Sequence, residues 1–152
     1  MRVASSPAGA LDLLAERLRE AEAPLADHVI DSEERPVFGL LAALGPRSAP
    51  APGEYAFVVE AVREGYLLHY GTPRLLAGHD EDLALLAGDY LYAVGIDRLA
   101  ALGDTEAVAV LGDLIGGCAQ LHAEERLDEV AGLWRSAALA VSGRDHDRPT
   151  VA

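Results

Sequence analysis

The stretch GHDEDLALLAGDYLYAVGIDRLAALG, residues 78–103, decides the fold of this chain. It begins with the acidic run 80–82, which suits the positive N-terminal end of a helix, and it ends at Gly103, a typical helix stop. Every residue of 83–96 is apolar or small except Asp89. A helix that is apolar on all sides is buried or crosses a membrane, and here the charged residues leave no uninterrupted run near the ~20 residues of a span. The stretch therefore predicts the central, buried helix of an all-α bundle.

Further helices are predicted on both sides of this stretch. Apolar residues at three- and four-residue spacing predict helices over 10–23, 37–44, 54–69, 104–120 and 127–141, and Pro24 can begin a further short one. No segment alternates β-branched residues in the way that strands do. The sequence therefore predicts one all-α domain, whose parts are a flexible segment 1–9, the helical domain 10–143 with a Pro/Gly linker at 45–53, and a polar tail 144–152.

The predicted helix over 54–69 carries an apolar stripe on one side. Its charged residues are predicted on the opposite side, and they are Glu54, Glu60, Arg63 and Glu64. This is the pattern of an amphipathic helix.

The composition predicts a folded, acidic protein. Of the 152 residues, 51% are hydrophobic, which is well above the share found in disordered chains. The net charge of −13 argues against binding to nucleic acid or to anionic membrane surfaces, since both require a basic face. A diphosphate or another acidic partner would also be repelled unless a metal or local arginines intervened. Cys118 is the sole cysteine and residues 1–20 show no secretion signal, so we expect a cytoplasmic protein without disulfides.

Several glycines lie inside the predicted helices, where each costs about 1 kcal/mol relative to alanine. They include Gly117 and four candidates for an interface, Gly88, Gly95, Gly112 and Gly116. Together with neighbouring alanines they form smooth helix faces. Such faces allow tight packing within the chain, a helical interface with another chain, or a slot for a long apolar ligand, and the sequence leaves these alternatives open.

Two consecutive segments resemble the trans-isoprenyl diphosphate synthases, a family of all-helical, dimeric prenyltransferases. They are EAVREGYLLH at 60–69 and DLALLAGDYLYAVGIDRLAALGDTEAV at 82–108, of which the LAGDYL portion is the more specific. Weaker matches follow in the family's order at 117–120 and 134–139. The resemblance spans about residues 55–143 and implies a helical bundle like part of the isoprenoid synthase fold.

The chain departs from the family where the catalytic metal would bind. In catalytic members an aspartate-rich motif directly follows the histidine matched by His69 and binds Mg²⁺ with the allylic diphosphate, whereas Tyr70 and Gly71 hold those positions here. A second aspartate-rich motif is not found in the sequence, and Arg135 replaces the family's lysine. Ionisation of an allylic diphosphate requires Mg²⁺ held by clustered carboxylates. The resemblance therefore implies a shortened, non-catalytic relative, of the heptaprenyl diphosphate synthase component I type, that needs no cofactor.

Five residues are candidates for a ligand pocket: Tyr66, His69, Asp89, Gln120 and Arg135. Gln120 and Arg135 fall in the weaker family matches, and Tyr66 falls where the family sets product chain length. Asp89 has apolar helical neighbours, so its ionised carboxylate needs a partner or a raised pKa. A salt bridge that fixes helix register, or contact with a ligand, would satisfy it. Tyr66 also fits a core aromatic residue, and His69 a hydrogen-bonding residue at the core edge.

Glu124, Glu125 and Asp128 reproduce the spacing of an acidic metal motif. On a helix, positions i, i+1 and i+4 can present two carboxylates to one ion, and His122 beside them could add a ligand. The alternative is a solvated acidic face at the start of a helix. Mg²⁺ would be required only if the protein were an active prenyltransferase.

The sequence is compatible with three functions. The first is a non-catalytic subunit that assembles with a catalytic polyprenyl diphosphate synthase and shapes its elongation channel. The second is a stand-alone homodimer that binds an isoprenoid or another apolar ligand. The third is a Mg²⁺-dependent prenyltransferase that uses Glu124, Glu125 and Asp128. None of the three involves nucleic acid or a membrane span.

Overall fold

A computed structural model describes residues 6–144 of the chain. Within them it has six α-helices and no strand: α1 (Ala10–Arg19), α2 (Val37–Ala42), α3 (Pro52–Tyr70), α4 (Glu81–Ala101), α5 (Thr105–Ala123) and α6 (Val130–Ser142). It also has 3-10 turns at Pro7–Gly9, Ala26–His28 and Leu127–Glu129. The all-α prediction is therefore confirmed.

The segment before α2 differs from the predicted pattern. Pro24 begins no α-helix, because the chain forms only the 3-10 turn Ala26–His28 before Val29 pairs with Leu76 in an isolated bridge. The predicted flexible segment 1–9 and polar tail 144–152 lie largely outside the described residues.

The central helix of the bundle is α3 rather than α4. Fourteen of the 19 residues of α3 are buried, against seven of the 21 residues of α4. Leu85 and Leu86 of α4 are 49% and 68% exposed. The prediction that 83–96 is buried on all sides was wrong, because the described chain covers only the face of α4 that carries its small residues. No helix within residues 6–144 has the length and apolar character that crossing a bilayer requires.

The apolar core is divided by α3 into two clusters. One face of α3, which includes Tyr55 and Val62, packs against α5 and α6. The other face, which includes Phe57 and Leu68, packs against α1, α4 and the segment 75–76. Burial of each large apolar side chain stabilises the fold by roughly 1.5–3 kcal/mol. Because α3 serves both clusters, its position fixes the rest of the bundle.

Most of the charged residues of α3 are inside the protein, which corrects the prediction of an amphipathic helix. Glu54, Glu60 and Glu64 are 5%, 0% and 0% exposed. Arg98 of α4 forms a two-pronged ion pair with Glu54, with Nε–Oε2 and Nη2–Oε1 distances of 2.7 and 2.9 Å. Arg74, from the segment after α3, pairs with Glu60 and Glu64. A buried carboxylate is tolerated when a cation and hydrogen bonds satisfy it.

The close approach of α3 and α4 depends on glycines. A Cβ atom on Gly65 would lie 2.8 Å from the carbonyl oxygen of Gly88, and one on Gly95 would lie 2.8 Å from Cγ2 of Val62. Gly88 and Gly95, two of the predicted interface residues, are therefore used for tight packing within the chain.

The predicted linker 45–53 is held against the bundle. Ser48 is fully buried, and its hydroxyl donates a hydrogen bond to the carbonyl oxygen of Ala42 at 2.6 Å. The backbone N–H of Arg47 donates to the carbonyl oxygen of Ser142 at 3.0 Å, which ties the segment to the end of α6. α3 begins inside the predicted linker, since proline is tolerated in a first helical turn.

Asp104 joins three parts of the fold at the start of α5. Its Oδ1 accepts hydrogen bonds from the Ala107 N–H and from Nη1 of Arg47, each at 3.0 Å, and its Oδ2 accepts one from the Tyr55 hydroxyl at 2.7 Å. Burial opposes ionisation, but these donors outweigh it and lower the pKa of Asp104 below the ordinary aspartate value. Burial and the neighbouring carboxylate raise the pKa of Tyr55 to about 12. An ionised carboxylate therefore caps α5.

Asp104→Ala is expected to destabilise the protein by about 1–2 kcal/mol at neutral pH, because three hydrogen-bond donors lose their acceptor. A carboxylate with a lowered native pKa contributes stability that is fully present above its unfolded pKa of about 3.9, and this contribution is lost as the pH falls through the native value. The difference in stability between the variant and the unchanged protein should therefore shrink below about pH 4. Urea unfolding over the acid range tests this, with Asp97→Ala, at an exposed position of α4, as the control. A difference that stays constant over this range would contradict the prediction.

Candidate functional site

A pocket with a volume of about 340 Å³ opens beside α3, between α2 and the segment that follows α3. Its lining includes three arginines, which are Arg35, Arg63 and Arg74. Val37, Phe38 and Leu67 form an apolar wall. We call it the arginine pocket. In a chain with a net charge of −13, a group of three arginines is a clear departure from the overall charge.

Arg74 is held by the two buried carboxylates of α3. Its side chain is 8% exposed, and its Nη1 donates to Oε1 of Glu60 at 2.6 Å while its Nε donates to Oε1 of Glu64 at 2.9 Å. Burial favours the neutral form, but Glu60 and Glu64 outweigh burial and raise the pKa of Arg74, so the guanidinium stays charged. Its remaining nitrogen, Nη2, is buried and has no hydrogen-bond partner among the described residues.

Backbone donors complete the coordination of the two glutamates. Oε2 of Glu60 accepts a hydrogen bond from the Gly39 N–H at 2.8 Å, and Oε2 of Glu64 accepts hydrogen bonds from the Arg74 and Leu75 N–H groups at 2.7 and 2.8 Å. Glu60 and Glu64 lie one helical turn apart on α3. They therefore tie α2 and the segment after α3 to the central helix, which fixes two sides of the arginine pocket.

Arg63 differs from Arg74 because aromatic rings, rather than carboxylates, surround it. Its guanidinium carbon lies 4.9 Å from the ring centroids of Phe38 and Trp134 and 5.1 Å from that of Tyr66. Within residues 6–144 it forms no hydrogen bond or ion pair. Burial lowers the pKa of Arg63, as expected for a cation that is desolvated without a hydrogen-bonded counterion. Such a cation is a ready partner for an anion.

The ionisable groups around the arginine pocket balance one another. Three carboxylates and three guanidinium groups lie in the pocket lining or directly behind it: Glu34, Glu60 and Glu64, and Arg35, Arg63 and Arg74. The site is therefore close to neutral within an acidic protein. Local arginines offset the repulsion that an anion would otherwise meet.

Two of the predicted ligand-pocket residues, Tyr66 and His69, lie in an aromatic cluster next to Arg63. Tyr66 Oη and His122 Nε2 share a hydrogen bond of 2.7 Å. Nε2 of His69 lies 3.2 Å from the carbonyl oxygen of Leu85. Neither Tyr66 nor His69 lines the arginine pocket. The ring of Tyr66 nevertheless packs on the guanidinium of Arg63, which does line it.

The other three predicted ligand-pocket residues lie on the surface. The side chain of Asp89 is 74% exposed, and its Oδ1 lies 3.3 Å from Nε2 of His69. The prediction of a carboxylate among buried apolar neighbours was wrong here, because that face of α4 is open to solvent. Gln120 and Arg135 are also exposed, and Gln120 donates a hydrogen bond to Oε2 of Glu124 at 3.1 Å. The structure places none of the three at the arginine pocket.

The candidate metal ligands Glu124, Glu125 and Asp128 are not arranged as the helical spacing predicted. α5 ends at Ala123, Glu125 has a left-handed φ of 57°, and Asp128 lies in a 3-10 turn, so the three do not share a helix. Oε1 of Glu124 instead accepts a hydrogen bond from Nη1 of Arg126 at 2.8 Å. In the part of the chain that the structure describes, no three His, Cys, Asp or Glu side chains are grouped as metal ligands.

Gly112 and Gly116, the other two predicted interface residues, lie on an exposed side of α5. A Cβ atom at either position would meet no atom within 4 Å. Open space at these positions leaves room for the close approach of another helix.

The helical pattern of α3 predicts its charged residues on one solvated side and therefore does not indicate the arginine pocket. Phe57, Ala61 and Leu68 form a second apolar stripe on this helix. Two apolar stripes leave little surface for solvent, so they were the available signal that Glu60 and Glu64 are buried.

The chain matches no protein-family model, no curated protein and no solved structure. The resemblance to the trans-isoprenyl diphosphate synthases therefore rests on the quoted segments alone and stays a prediction. The geometry of the arginine pocket is then the main structural indication of a function.

Proposed function

We propose that this chain is a binding protein that holds a small anion in the arginine pocket. The observation that carries the proposal is the state of Arg63, a partly buried guanidinium that three aromatic rings enclose and that no described residue pairs or hydrogen-bonds. Arg74 lines the same pocket as a second guanidinium, which Glu60 and Glu64 hold in place.

An anion in the arginine pocket would give Arg63 the counterion that it lacks within the described chain. Desolvating a charge is costly unless a counterion and hydrogen bonds compensate, so Arg63 gains more from an anion than an exposed arginine would. Hydrogen bonds to charged groups contribute about 1.5–3 kcal/mol each. Glu60 and Glu64 hold Arg74 in place before any ligand binds, which lowers the entropic cost of binding.

Trp134 provides a direct readout of binding. It is the only tryptophan of the chain, and its ring lies 4.9 Å from the guanidinium carbon of Arg63. Titration with sodium acetate, sodium benzoate or inorganic phosphate should give a saturable change in Trp134 fluorescence for at least one of these anions, and calorimetry should confirm binding.

Arg63→Met is expected to weaken this binding by about tenfold or more, since it removes one charge-assisted hydrogen-bonding group. Methionine keeps much of the packing against the three rings, so the variant should fold. Arg19→Met removes an exposed arginine that pairs with Asp31 and serves as the matched control. The proposal fails if no anion binds saturably, or if Arg63→Met binds as tightly as the control.

A second candidate function is the companion subunit that the sequence resemblance implies. The open positions of Gly112 and Gly116 on α5 support it, because a helix of a catalytic polyprenyl diphosphate synthase could pack closely there. On this proposal the chain shares part of the isoprenoid synthase fold and shapes the elongation channel of its partner. Co-purification with such a synthase, and a change in its product length, would support the proposal. Recovery of the chain alone or as a homodimer would count against it.

A further inference from the structure

We propose that the ligand of the arginine pocket is a monocarboxylate with an apolar body, and not a phosphate ester. This inference rests on the proposed function and narrows its ligand class. Three features of the pocket lead to it: its balance of charge, the donors that remain free, and its apolar wall.

The balance of charge favours a single negative charge on the ligand. The three carboxylates and three guanidinium groups at the site cancel, so a monoanion leaves one excess negative charge and a phosphate monoester leaves close to two. Glu34 lines the pocket and would repel a second charge. The rest of the protein is acidic and offers no compensation, since the net charge of the whole chain is −13.

The free donors suit a flat carboxylate with two oxygen atoms. Phosphate sites commonly use several backbone N–H groups, but the Gly39, Arg74 and Leu75 N–H groups already donate to Glu60 and Glu64. What remains is the guanidinium of Arg63, which lines the pocket and forms no hydrogen bond within residues 6–144. A guanidinium presents its N–H groups in a plane, and that geometry matches a carboxylate.

The wall of the pocket suits an apolar body attached to the carboxylate. Val37, Phe38 and Leu67 line it, and Val37 is 59% exposed. The volume of about 340 Å³ is at the small end of ligand pockets, which commonly measure 300–1,000 Å³. A compact ligand with one aromatic ring or a short branched chain therefore fits better than a long chain.

Four small probes separate these features, and binding is measured by calorimetry and Trp134 fluorescence. Phenylacetate should bind about tenfold more tightly than acetate, because it adds an apolar body. It should bind about tenfold more tightly than phenyl phosphate, which carries close to two negative charges near neutral pH. The neutral amide 2-phenylacetamide should show no saturable binding.

The exposed Val37 allows a matched pair of variants that leave the network of Glu60, Glu64 and Arg74 intact. Val37→Glu adds a negative charge at the pocket and should weaken phenylacetate binding, whereas Val37→Lys should strengthen it, each by several-fold. Urea unfolding of both variants checks that the fold is unchanged. Equal affinities in the two variants would contradict the site assignment.

The outcomes distinguish this inference from the broader proposal. If phenyl phosphate or inorganic phosphate binds at least as tightly as phenylacetate and Arg63→Met abolishes that binding, anion binding stands and the carboxylate inference is overturned. If the amide binds as tightly as phenylacetate, or if no probe binds saturably, both are overturned.

Discussion

Arg74→Met is expected to destabilise the fold by about 3–5 kcal/mol, which is a large share of the ~5–15 kcal/mol that stabilises a typical domain. The substitution leaves Glu60 and Glu64 buried at 0% exposure without their cation. A buried pair is not strongly stabilising as a whole, but removing one partner leaves an uncompensated charge in the interior. Methionine fills most of the volume of the lost side chain, so the predicted loss is electrostatic rather than steric.

Urea unfolding measures this loss, and Arg19→Met is the control. Arg19 pairs with Asp31 at 3.0 Å, but their side chains are 44% and 73% exposed, so its replacement should cost no more than about 1 kcal/mol. If Arg74→Met does not fold, adding Glu60→Gln and Glu64→Gln should restore a cooperative transition, since the triple variant buries no unpaired charge. A loss below about 1 kcal/mol for Arg74→Met, or no recovery in the triple variant, would contradict the role assigned to the network.

Gly65→Ala is expected to destabilise the protein by about 1–3 kcal/mol, although alanine is the better helix former. The added Cβ atom would lie 2.8 Å from the carbonyl oxygen of Gly88 and 2.8 Å from Cδ1 of Tyr92. Tyr92 can rotate, but the carbonyl oxygen belongs to the backbone of α4. The two helices must therefore move apart, and the apolar contacts between them weaken.

Gly112→Ala is the matched control, because it makes the same chemical change inside a helix where a Cβ atom meets nothing within 4 Å. It should leave stability unchanged or raise it by up to about 1 kcal/mol, through helix propensity alone. The midpoint of thermal unfolding should therefore fall in Gly65→Ala and stay unchanged or rise in Gly112→Ala. Equal shifts would show that α3 and α4 do not depend on glycine contact.

The helices of this chain could be predicted from spacing, whereas their arrangement could not. Five of the six α-helices coincide with predicted segments to within a few residues at each end, and the sixth, α1, ends four residues early at Arg19. The choice of central helix failed because an apolar sequence such as 83–96 shows only that burial is possible. Burial also depends on which neighbours cover a helix, and α3 is covered on both of its apolar faces.

The arginine pocket could not be predicted because its parts come from three separate segments. Arg74 lies beyond the end of α3, so no helical spacing relates it to Glu60 and Glu64. Arg63 lies between these two glutamates in sequence, yet it contacts Phe38 and Trp134 instead. Only the folded chain brings these groups together.

The buried network also has a consequence for how this sequence can change during evolution. Loss of Glu60, Glu64 or Arg74 alone leaves an unpaired charge in the core, so single substitutions at these positions should be removed by selection. The three residues should therefore persist together or disappear together in diverging descendants of this chain. In the sequence, Glu64 follows Glu60 by four residues and Arg74 follows Glu64 by ten. This spacing offers a way to recognise distant relatives in which the other residues have changed.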